Sequence, residues 1–216
     1  WIEILDNTIT LYDLIEVRQT TLLNYIMDLN RNETIHNMRQ TFIKSCVSSC
    51  VLCYILGVGD RHTENILINK WGDLIHIDFS YLLGEDPKHV DVEMKITNDM
   101  LEALGGKKSE NFSNFKRICE IVYKKIRKRS GLWYLLLSYL SFIEPPIHPY
   151  YNNSKIIKDY VIDKLIPGEF DEECSLQISN IVESSSNPSY METISDISHK
   201  VSNKVKQYYS TMFAMD

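Results

Sequence analysis

The sequence predicts a mainly α-helical protein that contains one small β-hairpin. Apolar residues recur at intervals of three and four over most of the 216 residues, which is the pattern of amphipathic helices. One pair of short β-rich segments stands apart, separated by a turn sequence at 70–73. Only 8 Gly and 6 Pro occur, so the composition is that of a folded chain rather than of a linker.

The charge balance argues against a general nucleic-acid-binding protein. Lys and Arg number 23 and Asp and Glu number 29, which gives a net charge of −6, whereas such proteins are normally basic. We therefore expect no nucleic-acid partner. The longest apolar run, 131–143, is shorter than the roughly 20 residues that a membrane span requires, and we predict a buried core helix there.

The cysteine pattern indicates buried free thiols. Cys46, Cys50 and Cys53 fall at i, i+4 and i+7, on one stripe of a predicted helix. A structural zinc site needs four ligands, and this stripe offers no fourth ligand at a matching spacing. Free thiols within an apolar helix are typical of a reducing, intracellular setting, which is what we expect for this chain.

The remaining elements follow from capping residues and helix breakers. Gly57 and Gly59 end one predicted helix and open an irregular loop that continues to residue 65. Thr97 is a suitable N-cap for a short helix that Gly105 and Gly106 end. The predicted helices lie at 11–29, 38–56, 97–105, 110–130, 132–143, 155–165, 172–185 and 189–212, and the predicted strands at 66–68 and 74–77.

Three polar residues flank the hairpin at the spacing of a kinase site. Asp60 and Asn65 are separated as in the kinase catalytic loop H-R-D-x-x-x-x-N. Asp78 follows the hairpin, where kinases carry the magnesium-binding Asp of Asp-Phe-Gly. One carboxylate and one amide oxygen suit Mg²⁺, which keeps several waters and takes few protein ligands. Together with His62, these residues predict a site for phosphoryl transfer.

Two motifs resemble those of the phosphoinositide 3-kinase superfamily, namely Gly57-Val-Gly-Asp-Arg-His-Thr-Glu-Asn-Ile-Leu and His76-Ile-Asp-Phe-Ser-Tyr-Leu-Leu-Gly. A third, Met94-Lys-Ile-Thr-Asn-Asp-Met-Leu-Glu-Ala-Leu-Gly-Gly, is most similar to the class III (vacuolar) enzymes. The resemblance implies that 1–216 is the C-terminal lobe of a protein-kinase-like PI3/PI4-kinase catalytic domain, with the N-lobe outside this chain. Its implied parts are a catalytic loop at 57–65, a metal motif at 76–80, an activation loop at 80–96 and a helical part at 97–216.

The resemblance also implies cofactors and residue roles. ATP and Mg²⁺ (or Mn²⁺) are the expected cofactors, with Asp78 and Asn65 as the residues that bind the metal and, through it, the nucleotide. His62 and Asp60 compete for the role of catalytic base, and His62 is favoured as the base or as a stabiliser of the transition state. The basic activation-loop residues expected near the substrate are Lys88, His89 and Lys95.

The other residues of the two loops receive weaker assignments. Arg61 is expected to pair with a carboxylate within the loop, and Thr63 and Glu64 are expected to be solvated spacers. Ser80 stands where the family has Gly. If that position uses a positive φ, Ser costs on the order of 1 kcal/mol, and the departure either impairs the loop or is tolerated.

The implied function is that of a lipid kinase that transfers the γ-phosphate of ATP to the 3-hydroxyl of phosphatidylinositol, with this fragment alone inactive. The alternatives are a related protein Ser/Thr kinase and a non-catalytic pseudokinase or scaffold lobe. The expected partners are phosphatidylinositol in a membrane surface and regulatory subunits. The expected location is cytoplasmic and peripheral on endomembranes, with roles in membrane trafficking and autophagy.

Charged surfaces bear on the same expectation. The activation loop is acidic, which suits an unphosphorylated inositol headgroup, although a solvated loop without meaning for the substrate is the alternative. Residues 116–129 contain seven basic residues, and 189–212 form a second amphipathic segment. Both suit contact with an anionic bilayer, the alternatives being a solvated face for the first and docking on the lobe for the second.

Overall fold

The structure is a computed structural model that describes residues 4–87, 93–139, 154–166 and 168–187. Over these residues it is mostly helical with one small sheet, as predicted. A π-helical turn at Asp13–Val17 and a 3₁₀ turn at Thr63–Asn65 complete the described elements. In chain order the elements are β1 (Thr8–Thr10), α1 (Leu22–Leu29), α2 (Ile35–Leu56), β2 (Ile66–Asn69), β3 (Leu74–His76), α3 (Asn98–Ala103), α4 (Glu110–Arg127), α5 (Ser130–Ser138), α6 (Ser154–Leu165) and α7 (Asp171–Ser185).

The predicted hairpin is part of a three-stranded antiparallel sheet with the order β1-β2-β3. Ile68 in the central strand pairs with Leu74 on one side and with Ile9 on the other. The hairpin turn is held by Asn69, whose Oδ1 accepts hydrogen bonds from the backbone N–H groups of Trp71 and Asp73, both at 2.9 Å. Strand β1 leaves no signal in the sequence, because three residues show no periodicity and its partner strand lies far along the chain.

The prediction of one helix over 11–29 is wrong. The segment divides into the turn at Asp13–Val17 and helix α1. Gln19 between them has a positive φ of 50°, and the Thr21 side chain accepts from the Asn24 N–H at 3.2 Å and so begins a new helix. An N-cap requires extended backbone at Thr21, which is incompatible with an uninterrupted helix.

Helix α2 is the central element of the core. Thr34 caps it by accepting from the Asn37 N–H at 3.2 Å, so it begins one turn before the predicted residue 38. It ends as predicted at Gly57, which adopts the left-handed conformation with φ 54°. The helix packs against α4 and the β3 strand. Its buried residues are Met38, Phe42, Ile43, Cys46, Val47, Cys50, Val51, Cys53, Tyr54 and Ile55.

The prediction of buried free thiols is confirmed, since all five cysteines are free and buried. Sγ of Cys46 lies 4.0 Å from Sγ of Cys50 within the core. Burial raises the pKa of Cys53 to about 12, so this thiol is protonated and unreactive at neutral pH. Among the described residues, no cluster of His, Cys, Asp and Glu side chains could hold a metal ion by itself.

Helix α5 corrects the prediction of a buried core helix at 131–143. Among its residues Ser130–Ser138, Leu137 is the buried one, whereas Leu132, Leu135 and Leu136 are 50%, 52% and 50% exposed. Within the described part of the chain, the helix lies at the edge of the core and packs against α6. Residues 140–143 lie outside the described residues. No helix in the described ranges is long and apolar enough to cross a membrane.

The helices predicted in the second half are present within the described ranges, and the Thr97 cap is confirmed by its bond from the Met100 N–H at 3.2 Å. The basic segment 116–129 lies mainly on α4, where part of its charge is neutralised by α7. Lys116 Nζ lies 3.0 Å from Glu183, and Lys128 Nζ lies 3.1 Å from Asp171. The amphipathic segment 189–212 lies outside the described residues.

Arg127 joins α4 to the start of α7 and is itself buried, with 7% of its surface exposed. Its Nη1 donates to the carbonyl oxygens of Ile166 at 3.2 Å and Glu169 at 2.8 Å. Its Nη2 donates to Asp171 Oδ1 at 2.7 Å. These bonds satisfy the carbonyls that follow α6 and fix the turn into α7, which a solvated basic residue could not do.

We predict that Arg127→Ala lowers the free energy of unfolding by about 3 kcal/mol, because it leaves two carbonyls without a donor and Asp171 with Lys128 as its remaining partner. Lys128→Ala is the matched control, since Lys128 pairs with the same Asp171 but is exposed; its expected loss is within about 0.5 kcal/mol. Denaturant unfolding followed by circular dichroism measures both. Equal losses for the two variants would show that Arg127 acts only as a surface charge.

Candidate active site

Two loops lie side by side at the end of the sheet and form the site. The first, 57–65, follows α2, and the second, 77–87, follows β3. Two backbone hydrogen bonds join them: Gly59 N–H to the Tyr81 oxygen and Gly84 N–H to the Gly57 oxygen, both at 3.0 Å. A third, from Leu83 N–H to the Leu56 oxygen at 2.8 Å, joins the second loop to the last residue of α2. The second loop therefore runs along the first as an added backbone layer.

The two glycines of the first loop are required by this close approach. A Cβ on Gly59 would lie 1.9 Å from the carbonyl oxygen of Glu85. A Cβ on Gly57 would lie 2.4 Å from both the Gly84 nitrogen and the Tyr160 hydroxyl. Any side chain at these positions would separate the loops, so the glycines that end α2 also set the distance between the loops.

Arg61 bridges the two loops through backbone carbonyls. Its Nε donates to the Gly59 oxygen at 2.8 Å and its Nη1 to the Ile77 oxygen at 2.7 Å. Its Nη2 donates to the Asp78 oxygen, and the guanidinium lies 5.7 Å from the centre of the Phe79 ring. The hydrogen bonds of Arg61 thus go to carbonyls, and its expected pairing with a carboxylate is electrostatic, since Asp78, Asp60 and Asp86 act on its charge and oppose the lowering of its pKa by burial. The planar guanidinium offers several donors in fixed directions, which suits several carbonyls better than one carboxylate.

Asp60 is held in a strained backbone conformation, with a φ of 52°. Its backbone N–H donates to Asp86 Oδ2 at 2.8 Å. Asp86 belongs to the second loop, so a carboxylate from that loop helps to hold the first loop in place. Nothing in the sequence indicated this contact, because the two residues are joined only when the loops pack together.

His62 and Asn65 are in direct contact. Asn65 Nδ2 donates to the Asp60 oxygen at 3.0 Å and lies 3.2 Å from His62 Nε2. Because an amide nitrogen can only donate, Nε2 of neutral His62 is the acceptor and the ring proton resides on Nδ1. Both donor contacts of Asn65 involve Nδ2, so its carbonyl oxygen Oδ1 is the atom suited to a cation.

Two carboxylates lie on either side of the His62 ring. Asp60 Oδ2 is 3.8 Å from Nε2, and Glu64 Oε2 is 3.8 Å from Nδ1. Glu64 is therefore more than the solvated spacer that the sequence suggested, since its carboxylate faces the protonated ring nitrogen. Its position in the 3₁₀ turn at Thr63–Asn65 brings it back toward His62, and extended backbone would not have done so.

Asp78 lies at the exposed mouth of the site with a positive φ of 58°. Its Oδ1 accepts hydrogen bonds from the Ser80 hydroxyl at 2.6 Å and from the Ser80 N–H at 3.2 Å. These bonds hold the pKa of the Asp78 carboxyl below its usual value, so the group is charged at neutral pH. Ser80 is not among the residues with a positive φ, and the expected cost of replacing glycine does not arise.

Asp78 and Asn65 fit a magnesium site. The Ile77 N–H donates to the backbone carbonyl of Asn65 at 3.1 Å, which extends the pairing of β2 with β3 by one hydrogen bond. Asp78 follows Ile77 directly, so the two candidate ligands are neighbours across this pair of strands. One exposed carboxylate and one amide oxygen form a hard, open donor set that leaves positions for water and phosphate oxygens. Such a set differs from the closed carboxylate cage that Ca²⁺ buffers use.

The activation-loop candidates are only partly described. Lys88 and His89 lie outside the described residues. Lys95 is half-buried, between the buried side chains of Met94 and Ile96, which anchor the end of the loop to the core. Glu93 Oε1 lies 3.7 Å from Lys164 Nζ on α6. Part of the acidic charge of the loop therefore faces a lysine of the same chain.

The architecture is that of a kinase-like C-terminal lobe, in which helices support a small sheet and two polar loops meet at its end. A sequence profile described as phosphatidylinositol 3- and 4-kinase matches residues 13–145. The chain belongs to this family, which confirms the resemblance seen in the motifs.

Several proteins named phosphatidylinositol 3-kinase VPS34 are similar in sequence to this chain. The chain is 45% identical over 91 residues to phosphatidylinositol 3-kinase VPS34 of Candida glabrata, a match covering 42% of this chain and 10% of the relative. The Arabidopsis thaliana protein of that name is 47% identical over 92 residues, covering 43% and 11%. That of Candida albicans is 34% identical over 164 residues, covering 76% and 16%. The chain thus spans only a small part of these relatives.

We predict that Gly59→Ala separates the two loops, because the new Cβ would clash with the carbonyl oxygen of Glu85. The expected loss in the free energy of unfolding is about 2 kcal/mol, and cleavage by protease within 81–87 should become faster. Gly131→Ala is the control, since a Cβ there meets nothing within 4 Å. Wild-type protease resistance in Gly59→Ala would contradict the proposed close packing.

We also predict a pH-dependent stability from His76. Neither ring nitrogen has a hydrogen-bond partner among the described residues, and burial, followed by the Arg61 charge, lowers the pKa of His76 to about 4. The unfolded chain binds this proton near pH 6.5, so the free energy of unfolding falls between pH 6.5 and 4, by roughly 3 kcal/mol in all.

His76→Phe should remove this part of the pH dependence, and His36→Phe, at an exposed position on α2, should leave it unchanged. Denaturant unfolding at a series of pH values measures both. Identical pH profiles for His76→Phe and the wild type would show that His76 is not the group responsible.

Proposed function

We propose that this chain is the catalytic C-terminal lobe of a lipid kinase that transfers the γ-phosphate of ATP to the 3-hydroxyl of phosphatidylinositol. The observation that carries the proposal is the meeting of Asp60, His62, Asn65 and Asp78 at the junction of two loops that Arg61 holds together. Family membership supports the reaction class, and the names of the relatives support the lipid substrate.

The proposed division of work follows from the contacts of each residue. Asp78 and Asn65 would hold Mg²⁺, which when bound neutralises charge on the β- and γ-phosphates. Asp78 is charged and exposed at the mouth of the site, so it meets the nucleotide without first losing a buried partner. Asn65 is buried, and its two Nδ2 contacts fix the direction in which its Oδ1 points.

His62 is the proposed catalytic base, with Nε2 as the atom that accepts the proton from the inositol hydroxyl. Nε2 carries the one available lone pair of the neutral ring. The Asn65 Nδ2–H that donates to it would turn away when the hydroxyl arrives, while the bond from Nδ2 to the Asp60 oxygen keeps the amide in place. Glu64, 3.8 Å from Nδ1, would stabilise the positive ring that results. Asp60, 3.8 Å from Nε2, is the proposed orienting residue and shares that stabilisation.

The lipid substrate is favoured over a protein hydroxyl by the names of the relatives, and the charge of the activation loop bears on which lipid headgroup is used. Its described part carries Glu85, Asp86 and Glu93, of which Asp86 is occupied by the Asp60 N–H. Like charges repel a multiply phosphorylated headgroup more than the singly charged phosphatidylinositol. We therefore propose phosphatidylinositol within a membrane surface as the substrate, with a cytoplasmic location, peripheral on endomembranes, and regulatory subunits as partners.

The pseudokinase alternative receives no support from Ser80. That residue prompted the alternative because a glycine position can require a positive φ. Here the positive φ falls on Asp78 instead, and Ser80 donates two hydrogen bonds to the Asp78 carboxylate. The substitution thus leaves the backbone unstrained and the metal-binding carboxylate in place.

We predict that Asp78→Asn in the full-length protein lowers turnover of ATP with phosphatidylinositol vesicles by on the order of 100-fold or more, because the metal loses its only charged protein ligand in the described site. Asp28→Asn, at an exposed position on α1, is the matched control. Chromatography of the labelled lipid identifies the phosphorylated position, with phosphatidylinositol bisphosphate vesicles as a poorer substrate.

Phosphate at a position other than the 3-hydroxyl would overturn the proposed regiochemistry. Faster turnover of the bisphosphate would contradict the role given to the acidic loop. Transfer to proteins but not to lipid would favour the protein kinase alternative, and full activity in Asp78→Asn would remove this residue from the site.

A further inference from the structure

Ser80 is a residue in the site to which the family pattern assigns no side-chain role. Its hydroxyl donates to Asp78 Oδ1 at 2.6 Å, and its backbone N–H donates to the same oxygen at 3.2 Å. A glycine at position 80 would retain only the N–H. The hydroxyl bond is therefore the contact that this chain adds to the metal-binding carboxylate, and it is the shorter of the two.

Both donors act on one oxygen of the carboxylate. A carboxylate offers about four lone-pair directions shared between two oxygens, and a cation that binds bidentately needs both oxygens turned toward it. With Oδ1 turned toward two donors on Ser80, Oδ2 is the oxygen suited to a cation. Arg61 donates to the backbone oxygen of Asp78, so the hydrogen bonds seen to the carboxylate itself come from Ser80.

We propose that Ser80 is a positioning residue that restricts Asp78 to monodentate metal coordination through Oδ2 and thereby favours Mg²⁺ over Ca²⁺. The inference rests on the proposed metal-binding role of Asp78. It concerns the choice of cation and does not depend on which substrate receives the phosphate.

The size and coordination of the two ions give the reason. Mg²⁺ requires a near-ideal octahedron at about 2.0–2.1 Å and is served by single carboxylate oxygens and waters. Ca²⁺ takes six to eight oxygens at about 2.3–2.6 Å and readily uses both oxygens of one carboxylate. A carboxylate with one oxygen engaged by a hydroxyl disfavours the second arrangement and leaves the first intact.

The test measures metal binding directly on the full-length protein. Mn²⁺ is bound in the presence of a non-hydrolysable ATP analogue, its signal is followed by electron paramagnetic resonance, and Mg²⁺ and Ca²⁺ are each titrated as competitors. The variants are Ser80→Ala, which removes the hydroxyl, and Ser80→Thr, which keeps it. Ser113→Ala removes an exposed hydroxyl on α4 and serves as the control.

For each variant, the measured ratio is the Mg²⁺ concentration that displaces half of the Mn²⁺ divided by the Ca²⁺ concentration that does so. We expect Ser80→Ala to raise this ratio by about fivefold, so that Ca²⁺ competes better, as the loss of one hydrogen bond to a carboxylate implies. Ser80→Thr and Ser113→Ala should keep the wild-type ratio. A structural defect would weaken all three ions together and would not move this ratio.

An unchanged ratio in Ser80→Ala would overturn the inference, as would a ratio in Ser80→Thr equal to that of Ser80→Ala. Absence of Mn²⁺ binding in the wild type would overturn both the metal site and the inference. A shifted ratio in a protein that phosphorylates no lipid would support the inference while the proposed substrate fails, so the two failures are distinguishable.

Discussion

The guanidinium of Arg61 determines the geometry of the site, because its three hydrogen bonds reach both loops. It donates to the Gly59 oxygen in the first loop and to the oxygens of Ile77 and Asp78 in the second. Burial lowers its pKa below the ordinary value, but the group remains charged at neutral pH, and each bond is charge-assisted. The first loop and Asp78, the proposed metal ligand, are thereby joined through one planar group.

The chemistry of the site depends on contacts that this arrangement makes possible. Asp86 accepts from the strained Asp60 backbone, and Glu64 faces the protonated nitrogen of His62. Ser80 engages one oxygen of Asp78. Each of these side chains acts on a residue that the motif had already singled out, and none of them would touch a reacting atom in the proposed mechanism. The proposed catalytic groups are thus few, and they are oriented by neighbouring side chains that are not part of the kinase motifs.

The elements that the sequence predicted well were those with local causes. Helix α2 and its end at Gly57, the short helix capped by Thr97, and the hairpin strands all follow from periodicity, capping and turn residues within a few positions. The errors had distant causes. Strand β1 forms because β2 is available to pair with it, and α5 is half-exposed because it lies where the core ends. Neither cause leaves a signal in the local sequence.

The sequence by itself determined the class of the protein and the identity of the polar residues in its two loops, because residue type and spacing are local properties. The tertiary structure decided how those residues are used. It turned the N–H groups of Arg61 toward backbone carbonyls, and it placed Ser80 in an unstrained conformation beside Asp78. It brought Asp86 to the Asp60 backbone. These contacts form only when the two loops pack at van der Waals distance. The spacing of residues along the chain does not determine how closely two separate loops pack.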